Sequence, residues 1–128
     1  VRLLLDTHAL IWWLAGDERL SPAARDAIAD AANEVFVSAA SSWEIATKHR
    51  IGRMPEAAFL TADSGHIIAD QGFGELAITI RDGQVAGSLP AFHPDPFDRM
   101  LAAQAIVSDL AIVSDNTALD AYGVTRLW

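Results

Sequence analysis

Residues 1–16 read VRLLLDTHALIWWLAG, and the fold turns on how this stretch is parsed. Val1–Asp6 is a short apolar run that ends in an acid. Side chains of a strand alternate between its faces, so consecutive leucines at 3, 4 and 5 ask for burial on both sides, as parallel strands do. Thr7–Ala15 then reads as a helix, ended by Gly16 and Asp17, with Asp6 placed to cap it. The stretch has some look of a secretory leader. It carries Asp6 and His8, however, and lacks a basic lead-in beyond Arg2, so strand then helix is the better reading.

The same alternation runs on through the chain. Ser21-Pro22 opens a helix expected to reach about Ala32. Val35–Ser38 reads as a second strand, and Ala40–Arg50 as a helix ended by Gly52. Pro55 starts a further helical stretch, through Leu60 and on toward Ala69, weakened by Gly65. Glu75–Ile80 alternates and reads as a third strand, followed by a short helix or loop over Gln84–Leu89. Pro96–Ser108 is helical. Ala111–Val113 and Val124–Leu127 are the fourth and fifth strands. Strands alternating with helices predict an α/β protein, with a central parallel sheet of about four or five strands flanked by helices. The chain has 128 residues. That is enough for one core, and no repeat, low-complexity tract or linker divides it, so residues 1–128 are expected to form one domain.

Composition narrows the function classes. Hydrophobic residues make up 52%, which argues against disorder. The apolar stretches are interrupted by charge, so no membrane span is expected. There is no cysteine, which removes disulfides and thiolate metal sites and fits a cytoplasmic location. Seventeen acids face nine Lys and Arg, for a net charge of −8. A protein that grips nucleic acid through its phosphates is usually basic, so tight non-specific binding is disfavoured. A nuclease is not, because acids can gather metal ions that then meet the phosphate.

The acids stand at the ends of elements. Residues 93–105 read HPDPFDRMLAAQA. Asp95 suits the N-cap, Pro96 the first helical position, and Asp98 the third, near the positive end of the helix dipole. Ligands of an open parallel sheet bind outside the carboxyl ends of its strands. Asp6 ends the first strand, Asp115 and Asn116 follow the fourth, Glu44 lies one turn into the helix after the second, and Asp98 opens the helix before the fourth. Each also has an ordinary role. Asp6 can be a plain cap, Glu44 and Lys48 an i,i+4 surface pair, and Asp115-Asn116 an Asx-turn. If the four converge without matching cations, they need a divalent metal or raised pKa values. Oxygen ligands favour Mg²⁺ or Mn²⁺ over zinc. His8 and His93 read as structural. Asp6-Thr7-His8 resembles the opening of metallophosphoesterases, but their later GD and GNHD-like segments are missing. No second acid at position 8 supports an aspartyl-phosphate enzyme, and no Gly-rich turn supports a dinucleotide site.

Four segments in this order, LLLDTHALIWWL, SAASSWEIATKHRIGR, HPDPFDRMLAAQA and IVSDNTALDAYGVTRLW, resemble the PIN domain, and within it the VapC-type toxins of bacterial toxin–antitoxin pairs. The likeness covers nearly the whole chain. It implies an RNA endonuclease that holds Mg²⁺ or Mn²⁺ through carboxylates. It further implies a homodimer, a cognate VapB-type antitoxin whose tail blocks the acidic pocket, and a heterotetramer or larger assembly with it. Asp6, Glu44 and Asp98 match the family's acids. At the fourth position the family has Thr or Ser, any residue, then Asp, and here Ser114-Asp115-Asn116 departs: either Asp115 serves or Asn116 offers a neutral oxygen.

On this reading Asp6 and Asp98 are the first metal ligands, and Glu44 completes the shell or positions the attacking water. Thr7 and Ser38 can hydrogen-bond a carboxylate or phosphate, and Lys48, the single lysine, with Arg50 and Arg99 are candidate RNA contacts. One of Trp12 and Trp13 belongs to the core and the other to a partner surface. The rival reading is a non-catalytic PIN-like module whose acidic pocket binds a partner's arginine. A phosphoacceptor receiver domain would need a lysine after its last core strand, where this chain has none.

Overall fold

The computed structural model describes residues 1–91 and 93–128. Three leucines and a capping acid make β1 (Arg2–Leu5) and α1 (Thr7–Ala15), as the opening stretch demands. There follow α2 (Pro22–Ala29), β2 (Glu34–Ser38), α3 (Ala39–Arg50), a 3₁₀ turn (Pro55–Leu60), α4 (Ser64–Asp70) and β3 (Gly74–Leu76). Next come α5 (Ile80–Ser88), α6 (Pro96–Ser108), β4 (Ala111–Val113), a second 3₁₀ turn (Thr117–Tyr122) and β5 (Arg126–Leu127).

The five strands form one parallel sheet in the order β3-β2-β1-β4-β5. The chain builds outward from β1 in one direction and then returns to its other side. The order therefore reverses between β1 and β4, and the crevice above that pair is where such sheets bind ligands. Both faces are covered. Leu3, Leu5, Val35, Val37 and Val113 pack with α1 and α2 through Leu10, Ile11, Trp12, Ala24 and Ile28. Leu4 and Ile112 turn the other way, onto Leu101, Ala102 and Ala105 of α6. The alanines of α6 are fully buried at 102 and 103, and such small side chains let the helix lie close to the sheet.

The expected third strand ran to Ile80, but the chain leaves the sheet after Leu76. The reason is a capping box. The Thr79 hydroxyl accepts from the Asp82 N–H, and the Asp82 carboxylate accepts from the Thr79 N–H, so a helix starts at Ile80. That helix replaces the expected short element at Gln84–Leu89. The stretch from Pro55 toward Ala69 is likewise two pieces, because Asp63 caps a new helix with its side chain on the His66 N–H. The helix opened by Pro22 stops at Ala29 rather than Ala32. Beside Phe36, β3 starts on Gly74, where a Cβ would come within 2.9 Å of the ring.

Candidate active site

Parallel strands deliver their carboxyl ends to one side of the sheet, and helices that follow or precede them start there. Asp6 follows β1, α3 starts at the end of β2, α6 begins with Pro96, and Ser114 follows β4. Asp6 is 6% exposed and caps α1, its Oδ1 accepting from the Ala9 N–H at 2.7 Å. Burial raises its pKa from 3.8 to about 6, against the opposing bonds from Ser114 and Ala9, and the charge of Asp98 adds to the rise.

Glu44 is 3% exposed. Its Oε1 lies 2.5 Å from the Thr7 hydroxyl, which is also 3.1 Å from the Ser41 hydroxyl. Its Oε2 accepts from the Lys48 ammonium. That ammonium stands 3.9 Å from Asp95 Oδ2 and 5.7 Å from the centre of the Phe97 ring. Burial lowers the Lys48 pKa, but the bond to Glu44 and the charges of Glu44, Asp95 and Asp98 outweigh it and hold the group protonated.

Asp98 sits in the first turn of α6, whose N-cap is Asp95, accepting from the Phe97 N–H at 2.8 Å. Burial raises the Asp98 pKa, His93 lowers it, and Asp95 and Glu44 raise it again. Its Oδ2 lies 2.7 Å from His93 Nε2 and 3.4 Å from Asn116 Nδ2.

Asp6, Glu44 and Asp98 thus share one end of the sheet, where Asp6 feels the charge of Asp98 and Asp98 that of Glu44. At the fourth position the structure brings Asn116 to Asp98, while Asp115 is exposed and faces Arg126. Asn116 Oδ1 meanwhile caps the following 3₁₀ turn through the Ala118 N–H. Arg99 does not point at the site. Its guanidinium donates to the carbonyls of Ala86, Leu89 and Pro90 at 2.6 to 2.9 Å, so it closes the end of α5 and ties the loop before His93 to α6. Arg50 is exposed in the last turn of α3. Ser38 caps α3 and donates to buried Gln104. Trp12 is core, and Trp13 also packs within the chain, against Phe73, with its N–H on Gln71.

One partner escapes the sequence reading. His93 was set aside as structural, although it lies five residues before Asp98 in the same segment. Lys48 pairs with Glu44 as the i,i+4 spacing predicts, but the pair is partly buried rather than on the surface, and the ammonium also stands near Asp95. Lys48 thus offsets part of the acids' charge.

The donor chemistry of the acids suits a hard divalent cation: carboxylates, two of them held above their ordinary pKa, mainly by burial, with Asp98 adding to the rise of Asp6 and Asp95 and Glu44 to that of Asp98. Their spacing is a separate matter. Among the described residues, no three His, Cys, Asp or Glu side chains stand close enough to hold one metal ion. Glu44 and Asp98 are engaged by Lys48 and His93 instead.

The sequence profile of the PIN domain matches residues 3–124. The chain belongs to the PIN-domain family. This PIN domain is 34% identical over 122 residues to Ribonuclease VapC22 of Mycobacterium tuberculosis, a match covering 91% of this chain and 88% of that protein. Its fold is similar to the crystal structure of VapBC2 from Rickettsia felis bound to a DNA fragment from their promoter. There the TM-score is 0.68 at 11% identity, over 98% of this chain and 97% of that one. It is also similar to FitAcB from Neisseria gonorrhoeae, with a TM-score of 0.55 at 17% identity, over 97% and 95% of the two chains. In this PIN domain Asp6 and Ser114 follow β1 and β4, the two strands that flank the switch point of the sheet.

Proposed function

We propose that this PIN domain is an endoribonuclease, the toxin of a bacterial toxin–antitoxin pair, with Mg²⁺ or Mn²⁺ as its cofactor. The observation that carries the reading is that Asp6, Glu44 and Asp98 come from three elements to the carboxyl ends of the strands, with Asp6 subject to the charge of Asp98 and Asp98 to that of Glu44. The relative over nearly the whole chain is a ribonuclease. PIN-domain ribonucleases in general depend on a divalent metal. Asp6 and Asp98 would hold it, and Glu44, which Lys48 engages here, would be the third carboxylate of the set. When bound it supplies an activated water and charge to offset the phosphate.

The chain's own residues do the rest. Thr7 and Lys48 hold the Glu44 carboxylate on both oxygens. His93 and Asn116 orient Asp98. Lys48, a quarter exposed at the rim, can turn from Glu44 to a phosphate oxygen of the RNA. Arg50 is an outer contact of the same kind, and Arg99 supports the loop that presents His93. The acidic pocket in a protein of net charge −8 also suits an arginine from an antitoxin, whose fork pairs with a carboxylate. Among the described residues no helix is long and apolar enough to cross a membrane, which agrees with work in the bacterial cytoplasm.

A second reading has its own support. Lys48 and His93 already partner the acids, as they would in a module that binds a peptide arginine and performs no chemistry. The test is cleavage of mixed RNA by the purified protein with Mg²⁺ or Mn²⁺ and with chelator. It is repeated with the protein encoded next to it. Metal-dependent cleavage that this neighbour suppresses supports the toxin. Neighbour binding with no cleavage under any metal supports the module.

A further inference from the structure

Trp43 is out of keeping with its surroundings. It is 62% exposed, although it directly precedes buried Glu44 in α3. Phe97, which directly precedes Asp98, meets it edge-on with ring centres 4.9 Å apart. The indole is thus held by an aromatic neighbour while much of its surface faces solvent. It forms one wall of a groove of about 480 Å³ at the carboxyl ends of β2 and β3, the sheet end that also carries the acids. Val37, Ile68 and Leu76 supply apolar lining. Polar atoms stand at intervals: the Ser42 and Ser64 hydroxyls, 2.9 Å from each other, and the Glu75 carboxylate.

Resting on the ribonuclease reading, we propose that this groove seats one unpaired nucleobase of the RNA substrate, stacked on Trp43, next to the bond that is cut. Proteins that read single-stranded RNA stack splayed bases on aromatic rings and hydrogen-bond their edges. Trp43 supplies the ring. Ser42, Ser64 and Glu75 supply the edge contacts, and a carboxylate there accepts from an amino or imino N–H of the base. Lys48 stands 5.7 Å from the centre of the Phe97 ring, which itself meets Trp43, so a cation lies near the aromatic pair and can take the phosphate of such a nucleotide. A flat aromatic wall one residue from an acid, with a cation beside it, matches a nucleotide: apolar base, anionic phosphate.

The experiment measures steady-state cleavage of a short single-stranded RNA of mixed sequence by the full chain with Mn²⁺. It compares wild type with Trp43→Phe, Trp43→Ala and Glu75→Gln, with melting curves as a check on folding. Loss of one stacked base lowers kcat/KM for Trp43→Ala by about 5- to 100-fold, mostly through KM, while Trp43→Phe stays within about 3-fold. Glu75→Gln changes which base is preferred beside the cut. If Trp43→Ala is too unstable to assay, Trp43→Phe and Glu75→Gln decide: an unchanged base preference in both overturns the proposal. Unchanged KM in a folded Trp43→Ala overturns it too. So does unchanged kcat/KM together with loss of a dimer or of antitoxin binding, which assigns the ring to a protein interface. Wild type that cleaves no RNA overturns the ribonuclease reading itself. Cleavage that ignores Trp43 overturns only the base seat.

Discussion

Replacing Asp6 with asparagine is expected to stabilise the metal-free protein and to destroy its activity. The carboxylate is buried, and burial lifts its pKa from 3.8 to about 6. A raised carboxylate pKa means that the folded state holds its proton more tightly than the unfolded state. Stability therefore falls as pH rises between about 4 and 6 and stays reduced above that window. At about 1.4 kcal/mol per pH unit, the penalty at neutral pH is about 3 kcal/mol. Asparagine keeps the shape and caps a helix as well as aspartate, so the Ala9 N–H stays satisfied. Most of the penalty is then removed. The expected gain is about 2–3 kcal/mol at pH 7.5, or roughly 10 °C in melting temperature. At pH 4.5 wild-type Asp6 is already mostly protonated, and the gain shrinks to about 1 kcal/mol. The assay is urea unfolding of both proteins with chelator at the two pH values, read at constant m. A variant less stable than wild type at pH 7.5, or a gain equally large at pH 4.5, refutes the reasoning.

Other outcomes follow from the same contacts. Lys48→Met leaves Glu44 buried without its cation and is expected to cost about 2–4 kcal/mol in urea unfolding without metal. Because Lys48 and metal compete for Glu44, added Mn²⁺ should raise the melting temperature of Lys48→Met more than that of wild type, by mass action. Arg99→Met strips the donors from the carbonyls of Ala86, Leu89 and Pro90. It should lower stability by about 3 kcal/mol, seen as a lower urea midpoint, and slow cleavage by loosening the loop before His93.

Much of the fold was legible because its signals are local. Three leucines before an acid, Ser21-Pro22, and Asp95-Pro96 each announce an element and its start, and the structure keeps all three. The third strand was read too long because alternation at Glu75–Ile80 outweighed Thr79 and Asp82, which are three apart and form a capping box. That signal was in the sequence and lost to the wrong period. The partners of the acids were not legible, since they depend on contacts through space. Lys48 is the good i,i+4 mate of Glu44 wherever the helix lies. Only the packing of α3 beside α1 and α6 makes that pair buried and turns it toward Asp98. The choice between Asp115 and Asn116 was likewise hidden. It depends on where β4 ends: Val113 is its last residue and Ser114 turns to Asp6, which leaves Asp115 in solvent and Asn116 facing Asp98.

The central claim is that Asp98 holds the metal while Asp95, three residues away, caps the helix and is no metal ligand. The direct measurement is Mn²⁺-dependent cleavage of RNA by Asp98→Asn and Asp95→Asn, each checked for folding and for metal-induced rise in melting temperature. Both asparagines fit the helix start. The account predicts that Asp98→Asn folds, loses cleavage and loses the metal-induced rise, whereas Asp95→Asn keeps both. Cleavage that survives Asp98→Asn, or that is lost equally in Asp95→Asn, contradicts it.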